Sequence, residues 1–90
     1  MLSYATVGSN RLDRAKTFYD DLLASAGITR LFEHQSGGRI YGKDGMVMFG
    51  VVAPFDGAPA TVGNGSMIAF HFATPDAVIA FHKKALELGG

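Results

Sequence analysis

Cysteine is absent from the 90 residues. That excludes a disulfide framework, a zinc–thiolate site and a thiol nucleophile. An excess of charge of either sign is also lacking. Eight basic residues balance eight acidic ones, and they are interleaved: Arg11, Arg14 and Lys16 alternate with Asp13, Asp20 and Asp21. With no basic stripe to follow a phosphate backbone, nucleic acid is not an expected partner. Long apolar runs are missing as well. The longest, Gly45 to Pro54, is far too short to cross a bilayer. Met1-Leu2-Ser3-Tyr4 has no basic stretch leading into an apolar one, so no signal peptide is read there. The expectation is a cytoplasmic protein that uses neither membrane nor nucleic acid.

What is present points to a folded domain. Apolar residues make up 48% and charged residues 18%, a globular balance rather than a disordered one. Ninety residues are one domain at most, here 1–90. A chain of this size buries only about 60–65% of its unfolded surface, so its stability alone is modest.

Periodicity divides the chain into elements. Leu2 to Val7 is rich in strand formers and reads as a strand. Gly8 ends it, and Ser9 or Asn10 is a candidate helix cap. Leu12, Ala15, Tyr19, Leu22, Leu23 and Ala26 then recur at helical spacing, with Gly27 as the terminator. Asp13, Asp20 and Asp21 fall on what reads as the solvated face of this helix. Ile28 to Glu33, Arg39 to Gly42 and Met46 to Ala53 read as three more strands. Between them lie a Gln35-Ser36-Gly37-Gly38 turn and a Lys43-Asp44-Gly45 hairpin. The last of these strands is apolar on both faces and therefore central. Residues 54–65, from Pro54-Phe55-Asp56-Gly57 onward, are too long for a turn and form a linker or a functional loop. Ser66 to Ala73 reads as a fifth strand. Thr74 caps a second helix with Pro75 first and Asp76 in its opening turn. Val78, Phe81, His82, Ala85 and Leu86 make its expected inward face.

An offset of 63 residues lays this ending over the beginning. Tyr4 meets Met67, Ala15 meets Val78, Phe18 meets Phe81 and Gly27 meets Gly90. The fold class is therefore α+β. A βαβββ module over 1–53 and a linker over 54–65 are followed over 66–90 by the βα start of a second module. Two full copies need about 126 residues, some 36 more than are present. A shortened chain is expected, or a sheet edge completed by another chain, since an open edge is a liability. Homodimer formation by strand exchange or edge pairing is the concrete form of this expectation.

A tandem βαβββ unit with Phe18-Tyr19 inside its first helix resembles the vicinal oxygen chelate superfamily. That superfamily includes glyoxalase I, bleomycin-resistance proteins and extradiol dioxygenases. The stretches that carry the resemblance are Val7 to Tyr19 and Gly63 to Phe70. Pro54 to Pro59 is similar to the loop between modules of a bacterial glyoxalase-like subgroup. The resemblance implies a mixed sheet with helices on one face, curled into a cleft. It also implies a divalent metal held by a His or Gln on the first strand of each module and a Glu on a late strand. Those positions fall here on Tyr4, on Met67, and on or beside Phe49. A phenol with a pKa near 10 is a poor ligand at neutral pH, a thioether suits soft ions, and a phenyl ring has no lone pair. No metal or other cofactor is therefore expected, and a divalent metal is the alternative.

His71 lies four residues beyond Met67 on the same strand face, about 13 Å away. It is either a hydrogen-bonded structural histidine or a group that meets something bound in the cleft. Tyr4 either fills the space of a metal or donates its hydroxyl to a ligand oxygen. His82 reads as packing and His34 as a solvated loop residue, with Glu33 near enough in sequence to pair with it. The functional expectation is a small, largely apolar ligand held without metal in a cleft lined by Tyr4, Phe49, Met67 and His71. The alternative is a metal-dependent lyase or isomerase of the glyoxalase I type.

Overall fold

Asp44 and Gly45 adopt φ values of 53° and 75°. Positive values at both central residues are what a two-residue hairpin needs to follow the twist of its strands. This turn joins β3 (Arg39–Lys43) to β4 (Met46–Val52) in a computed structural model that describes residues 2–90. The remaining elements are β1 (Ala5–Gly8), α1 (Leu12–Ala24), β2 (Thr29–Glu33) and α2 (Pro75–Glu87). The four strands form one sheet in the order β1-β4-β3-β2. β1 runs parallel to β4, and the other pairs are antiparallel. The sheet is thus mixed, and β4 is interior, as its two apolar faces require.

β1 is shorter than the sequence suggests, because its ladder with β4 spans only Ala5↔Phe49 to Gly8↔Val52. Along it Ala5 and Val7 are half-buried while Thr6 and Gly8 are exposed. One side of the sheet therefore lies under the helices, and the other is open. The core is on the helix side: Leu23, Ile28, Tyr41, Phe49 and Val51 pack together, with Val7, Ala15 and Tyr19 against them.

Both helices end in the same way. The Gly27 N–H donates to Ala24 O at 3.1 Å and the Ile28 N–H to Leu23 O at 2.9 Å, with Gly27 at φ 77°. At α2 the Gly89 N–H donates to Leu86 O at 3.1 Å and the Gly90 N–H to Ala85 O at 2.8 Å, with Gly89 at φ 98°. Each is a Schellman ending, which places its left-handed residue at a glycine. The counterpart of Gly27 is therefore Gly89, not Gly90. The helix starts, at Leu12 and Pro75, remain 63 apart and both helices have 13 residues, so only the terminating glycine shifts by one. The buried face of α2 also differs from the one expected. Phe81 packs on the core and Ala77 and Ala85 are half-buried, whereas Val78, His82 and Leu86 are exposed. The expected inward face of α2 is corrected accordingly.

Two further expectations need correction. Neither Ser9 nor Asn10 caps α1 by side chain. Arg11 holds the cap position, Ser9 Oγ accepts from the Arg11 N–H at 3.0 Å, and Asn10 is engaged elsewhere. Ser66 to Ala73 is not a strand. Phe70 and Phe72 are half-buried, Met67, Ile68, Ala69 and His71 are exposed, and no ladder forms. Segment 66–73 is attached instead by aromatic rings. Phe70 meets Phe49 at 5.6 Å and Phe81 at 5.7 Å between centroids, and Phe72 meets Phe81 at 4.8 Å.

Candidate functional site

The open face of the sheet follows from the pairing register. Ile40 lies opposite Phe32 and Gly50, and Gly42 lies opposite Val47. Cross-strand partners point to the same side, so these residues share the face away from the helices with Thr6. The ladder slips between Tyr41 and Gly42. A bulge there inserts Met48 and lets Val47 and Gly50 face the same way although they are three residues apart.

Tyr4, Thr6, Phe32, Ile40 and Val47 line an open trough of about 680 Å³ on this face. Its size is that of a small-molecule pocket. The floor is tightly packed: a Cβ built on Gly50 would come 2.7 Å from Ile40 Cδ1 and 3.3 Å from Thr6 Cγ2. The loop from Pro54 to Thr61 forms one rim, with Phe55 fully exposed. Asn10 secures that rim. Its amide nitrogen donates to Ala60 O at 2.9 Å, and its Oδ1 accepts from the Ala60 N–H at 2.7 Å.

His34 closes one end of the trough. Its Nδ1 accepts from the Ser36 backbone N–H at 3.1 Å and lies 2.8 Å from Ser36 Oγ. Ser36 Oγ in turn accepts from the Ala53 N–H at 3.1 Å. His34 is therefore half-buried and fixed, not a solvated loop residue. Glu33 does not pair with it but accepts from Arg39 Nε at 2.7 Å.

The helix side carries a separate charge network. Arg39 bridges Glu33 and Asp20, and the Tyr41 hydroxyl donates to Asp20 Oδ1 at 2.8 Å. Arg30 approaches Asp20 at 3.7 Å. Asp20 is thus a half-buried acceptor at the seam between α1 and β3, not part of a solvated face. Burial, reinforced by Asp20, pushes the Tyr41 phenol well above its ordinary range. The Arg39 hydrogen bond holds the Glu33 carboxyl below its ordinary range. These groups join helix to sheet and do not face the trough. A second hollow of about 780 Å³ lies on this side, between α1 and the end of α2.

Of the four residues expected to line one cleft, only Tyr4 lines the trough. Phe49 is 2% exposed and faces the helices, since it pairs with the buried Tyr41. Met67 and His71 lie exposed on the unpaired segment. Thr6 could have been found by extending strict alternation from Tyr4; Phe32 could not, because the pairing of β2 with β3 slips between Arg30 and Phe32 and turns it to the open face. Val47 could not, because the bulge shifts its side.

A crystal structure described as a glyoxalase/bleomycin resistance protein from Albidiferax ferrireducens T118 is 37% identical to this chain and superposes with a TM-score of 0.86. The match covers 99% of this chain and 72% of the other. The chain belongs to the glyoxalase/bleomycin resistance family. No family model matches the sequence, and no curated protein matches it. The family's mixed sheet with helices on one face is the architecture observed here. Its divalent metal does not suit the donors on the open face of this member. Of the three residues on which the resemblance puts the ligand positions, Tyr4 lines the open face, Met67 lies on the unpaired segment and Phe49 is buried under the helices. Among the described residues, no three His, Cys, Asp or Glu side chains cluster in a way that could hold a metal ion.

Proposed function

We propose that this glyoxalase/bleomycin resistance family member binds a small, largely apolar molecule in the trough, without the family metal. The observation that carries this reading is the open sheet face itself. Tyr4, Phe32 and Phe55 are 53%, 54% and 107% exposed around a walled trough, where an isolated domain gains nothing from leaving them in water. Amide NMR during titration with small aromatic fragments tests it. Shifts clustered on Thr6, Phe32 and Val47 are the expected result; saturable shifts confined to α2 would refute the proposed site. Ni²⁺, Zn²⁺ or Mn²⁺ should leave the thermal midpoint unchanged. A stoichiometric ion with a large stabilising shift would favour the metal-dependent lyase or isomerase instead.

The protein is also proposed to act as a homodimer. β1 is an outer strand of the sheet, segment 66–73 has no strand partner, and Met67, Ile79 and Leu86 are 88%, 65% and 57% exposed. Light scattering at micromolar concentration should give twice the chain mass. A stable monomer there would end this part of the proposal.

A further inference from the structure

The hydrogen bonds at the end of the trough determine which proton the His34 ring carries. A backbone N–H can only donate, so the Ser36 N–H at 3.1 Å requires a lone pair on His34 Nδ1. The Ser36 hydroxyl, which accepts from the Ala53 N–H, turns its own proton toward the same nitrogen at 2.8 Å. The ring is therefore the neutral form with its proton on Nε2. Among the described residues, Nε2 makes no hydrogen bond. A half-buried residue bordering a cavity thus carries a single N–H donor, while its other nitrogen is locked into the protein.

Tyr4, Thr6 and Thr61 also bring hydroxyls to the trough, but a hydroxyl rotates and can accept as well as donate, whereas the His34 Nε2–H can only donate. Phe32, Ile40 and Val47 are apolar, and Asp56, on the rim, accepts from the Ala58 N–H at 2.9 Å. A carboxylate there disfavours anionic ligands. We infer that His34, held by Ser36, is the specificity-determining donor of the trough, and that it selects an uncharged planar ligand bearing a carbonyl-type acceptor at one end. This rests on the trough being the binding site.

A matched pair of probes separates the two claims. 2-Acetylnaphthalene and 2-isopropenylnaphthalene have nearly the same shape, but only the first carries an acceptor oxygen. The native protein should bind the ketone roughly five- to tenfold more tightly, the usual effect of one hydrogen bond. His34→Phe should abolish that preference while still binding the alkene. Equal affinities in the native protein, or a preference that survives His34→Phe, would overturn the role of His34 and leave the trough standing. Failure of both probes to shift Thr6, Phe32 and Val47 would overturn the binding site, and the inference with it. Nitrogen-15 shifts of the imidazole in the native protein provide a check that needs no variant. They should report a proton on Nε2, and a proton on Nδ1 would refute the inference.

Discussion

Tyr41 has no exposed surface, yet it ends in a hydroxyl that donates to Asp20 Oδ1 at 2.8 Å. Removing that hydroxyl leaves a half-buried carboxylate short of one donor but still beside Arg39 and Arg30. Tyr41→Phe should cost about 1.5 kcal/mol in denaturant melts, the range for a hydrogen bond to a charged group. The same contact has a pH signature. The Tyr41 phenol is raised by burial, so its contribution is complete below the unfolded value of about 10 and falls away as pH rises through the folded value. Glu33 behaves in the opposite sense. Arg39 lowers it, so its contribution is complete above the unfolded value and is lost as pH falls through the folded one. The thermal midpoint should therefore drop at both ends of the pH scale. Tyr41→Phe should flatten the alkaline limb and Glu33→Gln the acid limb. Unaltered limbs in these variants would show that other groups govern the titration.

Individual elements control the trough through close approaches. At Gly50 an added methyl meets the tip of Ile40, a flexible side chain that can move toward the open face. Gly50→Ala should therefore fold at a cost of about 1–2 kcal/mol, in the range for overpacking, and leave a shallower trough with weaker ketone binding. At Asn10 one amide both donates to and accepts from Ala60. Asn10→Ala should release the 54–61 rim, lowering ligand affinity severalfold while barely moving the melting midpoint, because no residue of the loop packs against the helix-side core cluster. A large fall in stability without loss of binding would reverse that assignment. Most elements were legible in the sequence at this scale. The helical spacing from Leu12, the Asp44-Gly45 turn and the Thr74-Pro75 cap each depend on neighbours within a few residues. What escaped was non-local. β4 is apolar on both faces, so its composition could not show that Phe49 looks toward the helices. The bulge that reorients Val47 belongs to the pairing with β3, and segment 66–73 lacks a ladder despite its strand-like composition. The importance of His34 depends on Ser36 and Ala53, and Ala53 is distant in sequence.

For the whole molecule, the decisive asymmetry is how its two parts are held. The strands of residues 5–52 share backbone ladders, with α1 tied to them by Asp20, Tyr41 and Arg39. Residues 66–90 join this body mainly through aromatic rings, Phe70 edge-on to Phe49 and Phe81 tilted against Phe70. No helix among the described residues is long and apolar enough to cross a membrane. Amide exchange should therefore be graded. Amides of β4 are expected to open only with global unfolding, and those of α2 orders of magnitude sooner. Identical protection in both would show a single cooperative unit.

Attachment through a few rings also decides how the polypeptide comes apart. A peptidase cutting between Thr61 and Ser66 would sever no β-ladder and would remove none of Leu23, Ile28, Tyr41 or Val51. The leading piece should stay folded with its trough intact, and the trailing helix should fall away and be digested.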